Sequence, residues 1–260
     1  MTLVFPPKAV IACVHLEPTP GSVGYGGSVT AIYERAIEET EVFLRHGADA
    51  LIVENFRDRP FYPSEVPVET TAIMAGVTRE IVRMANVPVG VAVLRNDARA
   101  ALAIALAAGA SFIRVNVHIG AVLSEQGVLS GRSHETLRRR RDLGGDIAIF
   151  ADARVKHSRP FAYGDVETEV RDLAALCEGV IVSGELTGIA TSPEDLLAAR
   201  RATAGPVLVG SGVTPENLPM LHPLADGFIV GSYFKADGVA SNPVDEARVK
   251  AFINEARSLR

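Results

Sequence analysis

Tryptophan is absent from the 260 residues, aromatic residues amount to 6%, and only two cysteines occur. Cys13 and Cys177 lie in apolar runs, Ala12-Cys13-Val14 and Leu176-Cys177, where a thiol behaves as a small core residue. No disulfide framework is expected, and a chain of this length can bury a sufficient core without one. A reducing, cytoplasmic setting fits. There is no basic excess: the net charge is −5 and the isoelectric point is near 5.7. Nucleic acid is therefore not expected as a partner. The one basic run, Arg138-Arg139-Arg140-Arg141, reads as a solvated helix face with ion pairs. No apolar stretch reaches the ~18–20 residues that span a bilayer, and Ala100 to Ala110 is too short. The start, Met1 to Pro7, lacks the charged head and apolar centre of a signal peptide. No integral membrane segment is expected, although peripheral membrane association stays compatible.

What is present is alternation. Short, continuously apolar runs rich in β-branched residues recur at Ala9 to Val14, Ala50 to Val53, Pro88 to Leu94, Phe112 to Val117, Ile147 to Phe150, Gly179 to Val182, Pro206 to Val209 and Gly227 to Val230. Such runs mark parallel strands buried on both faces. Helical patterns separate them: Val29 to His46, Glu69 to Met84, Asp97 to Ala108, His134 to Leu143, Val166 to Cys177, Pro193 to Ala202, Pro215 to Leu221 and Val244 to Leu259. Ser28 is placed to cap the first helix and Gly47 to close it. Pro193, Pro215 and Pro243 sit near first helical turns. Eight βα units in a chain of roughly 250 residues predict one α/β domain, residues 1–260, folded as a (β/α)8 TIM barrel. A doubly wound open sheet is the alternative. The absence of a Gly-x-Gly-x-x-Gly turn after the first strand counts against dinucleotide binding.

In such a barrel the active site forms at the C-terminal strand ends. Five residues near those ends are candidate catalytic groups: His15, Glu54, His118, Asp152 and Lys156. Asn55, Arg114, Asn116, His157 and Ser183 are candidate substrate-binding residues, and Glu185 follows on the sixth strand. An ion pair between Glu54 and Arg114 that merely braces the barrel is the bland alternative. A lysine at Lys156 can be a point charge for an anion or, when desolvated, a Schiff-base former. The carboxylates and imidazoles among these groups could together hold a divalent cation, but no His-x-His or His-Glu-x-x-His pair appears, so no metal and no other cofactor is the expectation. The Gly- and Pro-rich stretch from Leu16 to Ser28 is long enough to be a lid. After strands seven and eight stand Gly210-Ser211-Gly212 and Gly231-Ser232. Their glycines allow backbone N–H groups to approach an anion, so Gly184, Gly210, Ser211, Gly212, Gly231 and Ser232 are candidate phosphate-binding positions, with Lys235 just beyond.

The chain resembles the BtpA/SgcQ family along nearly its whole length. The resemblance is carried by His15-Leu16 with Pro20-Gly21-Ser22, by Val53-Glu54-Asn55-Phe56, and by Arg114-Val115-Asn116-Val117. Asp152-Ala153-Arg154-Val155-Lys156-His157, Val209-Gly210-Ser211-Gly212 and Val230-Gly231-Ser232 complete it, and the Glu-Asn-Phe and Val-Lys-His elements are distinctive. Ser124-Glu125 before Gln126-Gly127 departs from the expected Thr-Asp. The resemblance implies a phosphate-binding barrel of the ribulose-phosphate-binding type. One branch of the family takes its name from photosystem I biogenesis, the other from a bacterial sugar-utilisation operon. Two functions follow as expectations. The first is an enzyme of isomerase, lyase or hydrolase type acting on a phosphorylated small molecule such as a sugar phosphate. The second is a non-catalytic photosystem I biogenesis factor. A barrel that senses a ligand without turning it over is a third. A homo-oligomer paired through outer helices is expected.

Overall fold

The computed structural model describes residues 5–144, 146–161, 164–184 and 188–260. In chain order the elements are β1 (Ala9–His15), α1 (Val29–His46), β2 (Ala50–Glu54), α2 (Val68–Met84), β3 (Val89–Ala92), α3 (Ala98–Ala108), β4 (Phe112–Val115), β5 (Ala121–Ser124), β6 (Gly127–Ser130) and α4 (Ser133–Asp142). They continue with β7 (Ala148–Ala153), β8 (Ser158–Pro160), α5 (Val166–Ala174), β9 (Gly179–Val182), α6 (Pro193–Ala202), β10 (Val207–Val209), α7 (Leu218–Leu221), β11 (Gly227–Val230) and α8 (Glu246–Ser258). Eight strands close a ring in the order β1-β11-β10-β9-β7-β4-β3-β2. All of these neighbours pair in parallel. The fold is therefore a (β/α)8 barrel, and the open doubly wound sheet is excluded.

The continuous apolar runs are explained by two cores. Outward residues such as Val10, Leu51, Val91, Ile113, Ile149 and Val180 pack beneath the helices. Inward residues fill the barrel: Ile11, Cys13, Ile52, Phe112, Phe150, Ile181, Leu208 and Ile229. Phe5 closes the lower end, with its ring 5.4 Å from that of Phe112 and 5.3 Å from that of Phe150. A side chain at Gly90 would collide with the Phe112 ring, so that glycine makes room for the aromatic filling.

Strand alternation then fixes what lies higher in the barrel. Counting up two residues from each apolar position gives His15 above Cys13, Glu54 above Ile52, Arg114 above Phe112, Asp152 above Phe150, Ser183 above Ile181, Gly210 above Leu208 and Gly231 above Ile229. Apart from Ala92 of β3, level with Glu54 and Arg114, the top inward layer is polar or bare, and the layer beneath it is largely apolar.

The expected caps are present. Ser28 Oγ accepts from the Ala31 N–H, and Gly47 is left-handed at φ 86°. Pro193 stands in the first turn of α6. Pro215 does not start its helix: α7 begins at Leu218 after an Asn217 cap, so the run from Pro215 is a turn first. The strict eightfold alternation also needs correction. A hairpin, β5 with β6, follows β4, and β8 pairs antiparallel with β5 to make a small sheet. The arginine run behaves as a solvated face of α4, with Arg140 bound to Glu178 at 2.7 Å and Arg141 to Asp142 at 3.0 Å.

Candidate active site

A cavity of about 120 Å3 opens at the C-terminal rim. Cys13, His15 and Glu54 line one side, Arg114 and Lys156 another, and the turns Gly210–Thr214 and Gly231–Tyr233 a third. The β1–β2 register places His15 directly beside Glu54.

Asp152 is the best-tethered group at the rim. Its Oδ2 accepts from Arg114 Nε at 2.9 Å and Asn116 Nδ2 at 2.8 Å. Its Oδ1 accepts from Arg114 Nη2 at 2.8 Å and Ser183 Oγ at 2.9 Å. Burial opposes the charge, but the Arg114 guanidinium and these hydrogen bonds outweigh it and hold the carboxyl below its ordinary range. Arg114 also reaches Glu54 Oε1 at 3.3 Å. The anticipated Glu54–Arg114 pair thus exists, as the weaker arm of a three-group network.

His15 is held from both sides. Nδ1 lies 3.2 Å from the Ala240 carbonyl, the ring stacks on Phe56 at 4.3 Å, and Nε2 faces Glu54 Oε2 at 3.8 Å. Since a carbonyl only accepts, Nδ1 carries the proton. Burial, and then the charge of Lys235, keep the imidazole neutral far below its usual range, although the Ala240 contact opposes them. Nε2 is therefore a bare lone pair. Lys156 is half-buried and, among the described residues, its amine has no hydrogen bond or ion pair. Burial and the neighbouring Arg114 charge lower its affinity for a proton.

Other candidates lie elsewhere. Asn55 is turned away from the cavity: its amide donates to Asp58 and the Leu94 carbonyl and accepts from the Leu94 N–H. His118 is buried against the Leu176 carbonyl at 3.0 Å and does not line the cavity. His157, Ser183 and Gly184 line a neighbouring, larger cleft of about 800 Å3 beside β5 and β8. Of the anion turns, Gly184 has given its N–H to Ser211 Oγ at 2.8 Å, and that hydroxyl lies 3.2 Å from the Ile189 carbonyl. Gly212, at φ +65°, is braced by Asn217, which donates to its carbonyl at 2.7 Å and accepts from the Thr214 N–H at 2.9 Å. Glu185 lies outside the described residues.

Lys235 does not reach the cavity. It is fully buried and donates to Glu39 Oε2 at 2.6 Å beneath α1. The cation beside the glycine turns is Arg248, on α8, which lines the cavity, donates to the Tyr233 carbonyl at 2.7 Å and stacks over the Tyr233 ring at 4.3 Å. A search of strand ends misses Arg248 because a helix supplies it. The loop after β1 is pinned near its start: Thr19 donates through its N–H at 2.7 Å and its hydroxyl at 2.8 Å to Asp58, while Val23 further on is exposed.

The fold and rim define a (β/α)8 barrel with a polar site at the strand C-termini. Solved structures of low sequence identity share the fold. A phosphoribosyl anthranilate isomerase from Thermus thermophilus matches with a TM-score of 0.62 at 14% identity, covering 97% of this chain and 100% of that one. A Mycobacterium tuberculosis tryptophan synthase chain matches with a TM-score of 0.63 at 15% identity, covering 98% and 93%. The BtpA family model matches residues 6–258. The chain belongs to the BtpA family. It is 43% identical to the photosystem I biogenesis protein BtpA of Synechocystis over 94% of this chain and 86% of the relative. It is 42% identical to an uncharacterized protein of Pyrococcus furiosus, covering 99% of this chain and 98% of that one. No helix among the described residues is long and apolar enough to cross a membrane.

Proposed function

We propose that this protein is an enzyme of isomerase, lyase or hydrolase type that takes a phosphorylated small molecule, such as a sugar phosphate, at the rim cavity. The observation that carries the reading is Lys156. Its amine stands in the rim cavity beside the Arg114–Asp152–Glu54 network and, among the described residues, makes no hydrogen bond or ion pair, which leaves it available to a substrate. The phosphate docks on the Gly212 and Gly231–Ser232 turns, with Arg248 as the countercharge. Gly210 keeps the approach open, since a side chain there would collide with Ser183 and Ile181. Lys156 and Glu54 exchange protons with the reacting carbon or oxygen, and His15 supports Glu54. Asp152 and Asn116 act by fixing the Arg114 guanidinium, which stabilises developing negative charge. This chemistry calls on no organic cofactor, and copies associate in the cytoplasm as a homo-oligomer.

The second reading, a non-catalytic photosystem I biogenesis factor, is favoured by the name of the Synechocystis relative. A docking protein has no use for a cavity amine that is unpaired among the described residues, which is why the enzyme reading is preferred. A thermal-shift screen against phosphorylated metabolites tests it. A ligand at 100 times its Kd stabilises the fold by about 2.7 kcal/mol. Arg248→Gln should abolish that gain while leaving the unliganded melting temperature close to wild type. If no phosphorylated compound shifts the wild-type protein, the reading fails.

A further inference from the structure

Cys13, His15 and Glu54 offer one ligand atom each within 4.8 Å of one another, and all three are buried. Cys13 and His15 are two residues apart on β1 and so face the same way, and Glu54 is the register partner of His15 on β2. Bond lengths of about 2.0–2.3 Å around a tetrahedral ion place its ligands about 3.5 Å apart. The 3.8 Å between His15 Nε2 and Glu54 Oε2 is near that value.

We propose that Cys13 Sγ, His15 Nε2 and Glu54 Oε2 bind one divalent transition-metal ion of the zinc class, with a fourth position open to the rim cavity. Two ligands already have the outer partners that metal sites use. Ala240 fixes the His15 tautomer, leaving Nε2 as the donor atom. Arg114 holds Glu54 by Oε1, leaving Oε2 free. The thiolate selects a softer ion over magnesium or calcium. On binding, the Cys13 S–H bond breaks, a sulfur–metal bond forms and the proton passes to solvent. Thiolate and carboxylate then balance the two positive charges, so the neighbouring Arg114 and Lys156 face a neutral centre. Three protein ligands with one open position is the pattern of a catalytic rather than a structural site. With the ion seated Glu54 serves as its ligand, and proton transfer falls to Lys156.

The site does not depend on the phosphate reading, and its test is separate. The full-length protein is stripped with chelator, dialysed against zinc, and its metal content measured by mass spectrometry. Cobalt is loaded in parallel and the near-ultraviolet thiolate-to-cobalt absorption recorded. The expected result is one ion per chain, with that absorption lost in Cys13→Ser. His15→Gln and Glu54→Gln should weaken zinc binding by at least the 10–100-fold typical of disturbed metal sites. Affinity should rise with pH, because binding releases a proton. Circular dichroism checks that each variant is folded. Should His15→Gln not fold, the cobalt spectrum of Cys13→Ser alone decides. Substoichiometric metal, or a cobalt spectrum unchanged in Cys13→Ser, overturns the proposal. Metal binding without any phosphate-induced thermal shift would leave this site standing and remove the phosphate reading alone.

Discussion

Arg114 and Asp152 face each other through two nearly parallel hydrogen bonds, Nε to Oδ2 at 2.9 Å and Nη2 to Oδ1 at 2.8 Å, wholly inside the barrel. This geometry separates two carboxylates that look alike in the sequence. Asp152 spends both oxygens on donors, while Glu54 keeps Oε2 toward the cavity.

Removing the Asp152 charge leaves Arg114 buried beside one weaker partner, Glu54 at 3.3 Å. Breaking a buried pair on one side typically costs about 3–5 kcal/mol. Asp152→Asn should therefore lose about that much stability by urea unfolding. A loss below about 1 kcal/mol would show that the pair does not anchor the rim.

Lys156 predicts the opposite sign. Its amine is desolvated and, among the described residues, has no direct ion pair, the charges of Glu54 and Asp152 acting on it only at a distance, so Lys156→Met should leave the melting temperature unchanged or raise it. Affinity for a phosphorylated ligand should fall about 10–100-fold, the ~1.5–3 kcal/mol of a charge-assisted hydrogen bond. A variant that melts well below wild type with unaltered ligand affinity would mark the lysine as structural.

How much of this was legible depends on the kind of signal. All eight barrel strands were visible, because double-sided burial leaves unbroken apolar runs such as Val207–Val209. The hairpin was not: β5 and β6 are four residues each, partly exposed, and Ser158–Pro160 has no strand pattern at all. Within the site, position along a strand was readable but direction was neglected. Alternation from Ile52 sends Glu54 inward and Asn55 elsewhere, yet both read as rim residues. The same alternation couples Cys13 to His15, a pairing hidden by the apolar neighbours of the cysteine. Lys235 and Arg248 exchanged roles because a 3-10 turn, Ser232–Phe234, redirects the chain after β11. No local pattern announces that.

The turn at Gly212 makes a third prediction. Its φ of +65° is left-handed, and an added Cβ would collide with the backbone of Ile189 and Ala190. Gly212→Ala should cost on the order of 1–3 kcal/mol and remove the thermal shift given by a phosphorylated ligand. If the shift persists at wild-type size, the anion sits somewhere other than this turn.

His118 predicts how stability responds to pH. Burial lowers its proton affinity in the folded state, against the pull of the Leu176 carbonyl, with Arg140 opposing and Glu178 favouring the charge. The unfolded chain binds a proton near pH 6.5. Below that pH the unfolded state takes up more protons than the native state, so stability is complete above about pH 6.5 and declines as pH falls toward the depressed native value. The slope is at most about 1.4 kcal/mol per pH unit for each such histidine, and His15 adds to it in the same direction. The contribution of Asp152 is distinct, since its lowered pKa affects stability only as pH falls below about 3.8. Urea unfolding of wild type and His118→Gln between pH 7.5 and 5, in about half-unit steps, separates these effects. The variant should be less stable at pH 7.5 yet lose less on acidification, so the two curves converge. Parallel curves would mean that His118 binds its proton equally well in the native and unfolded states, so that its burial does not lower its proton affinity.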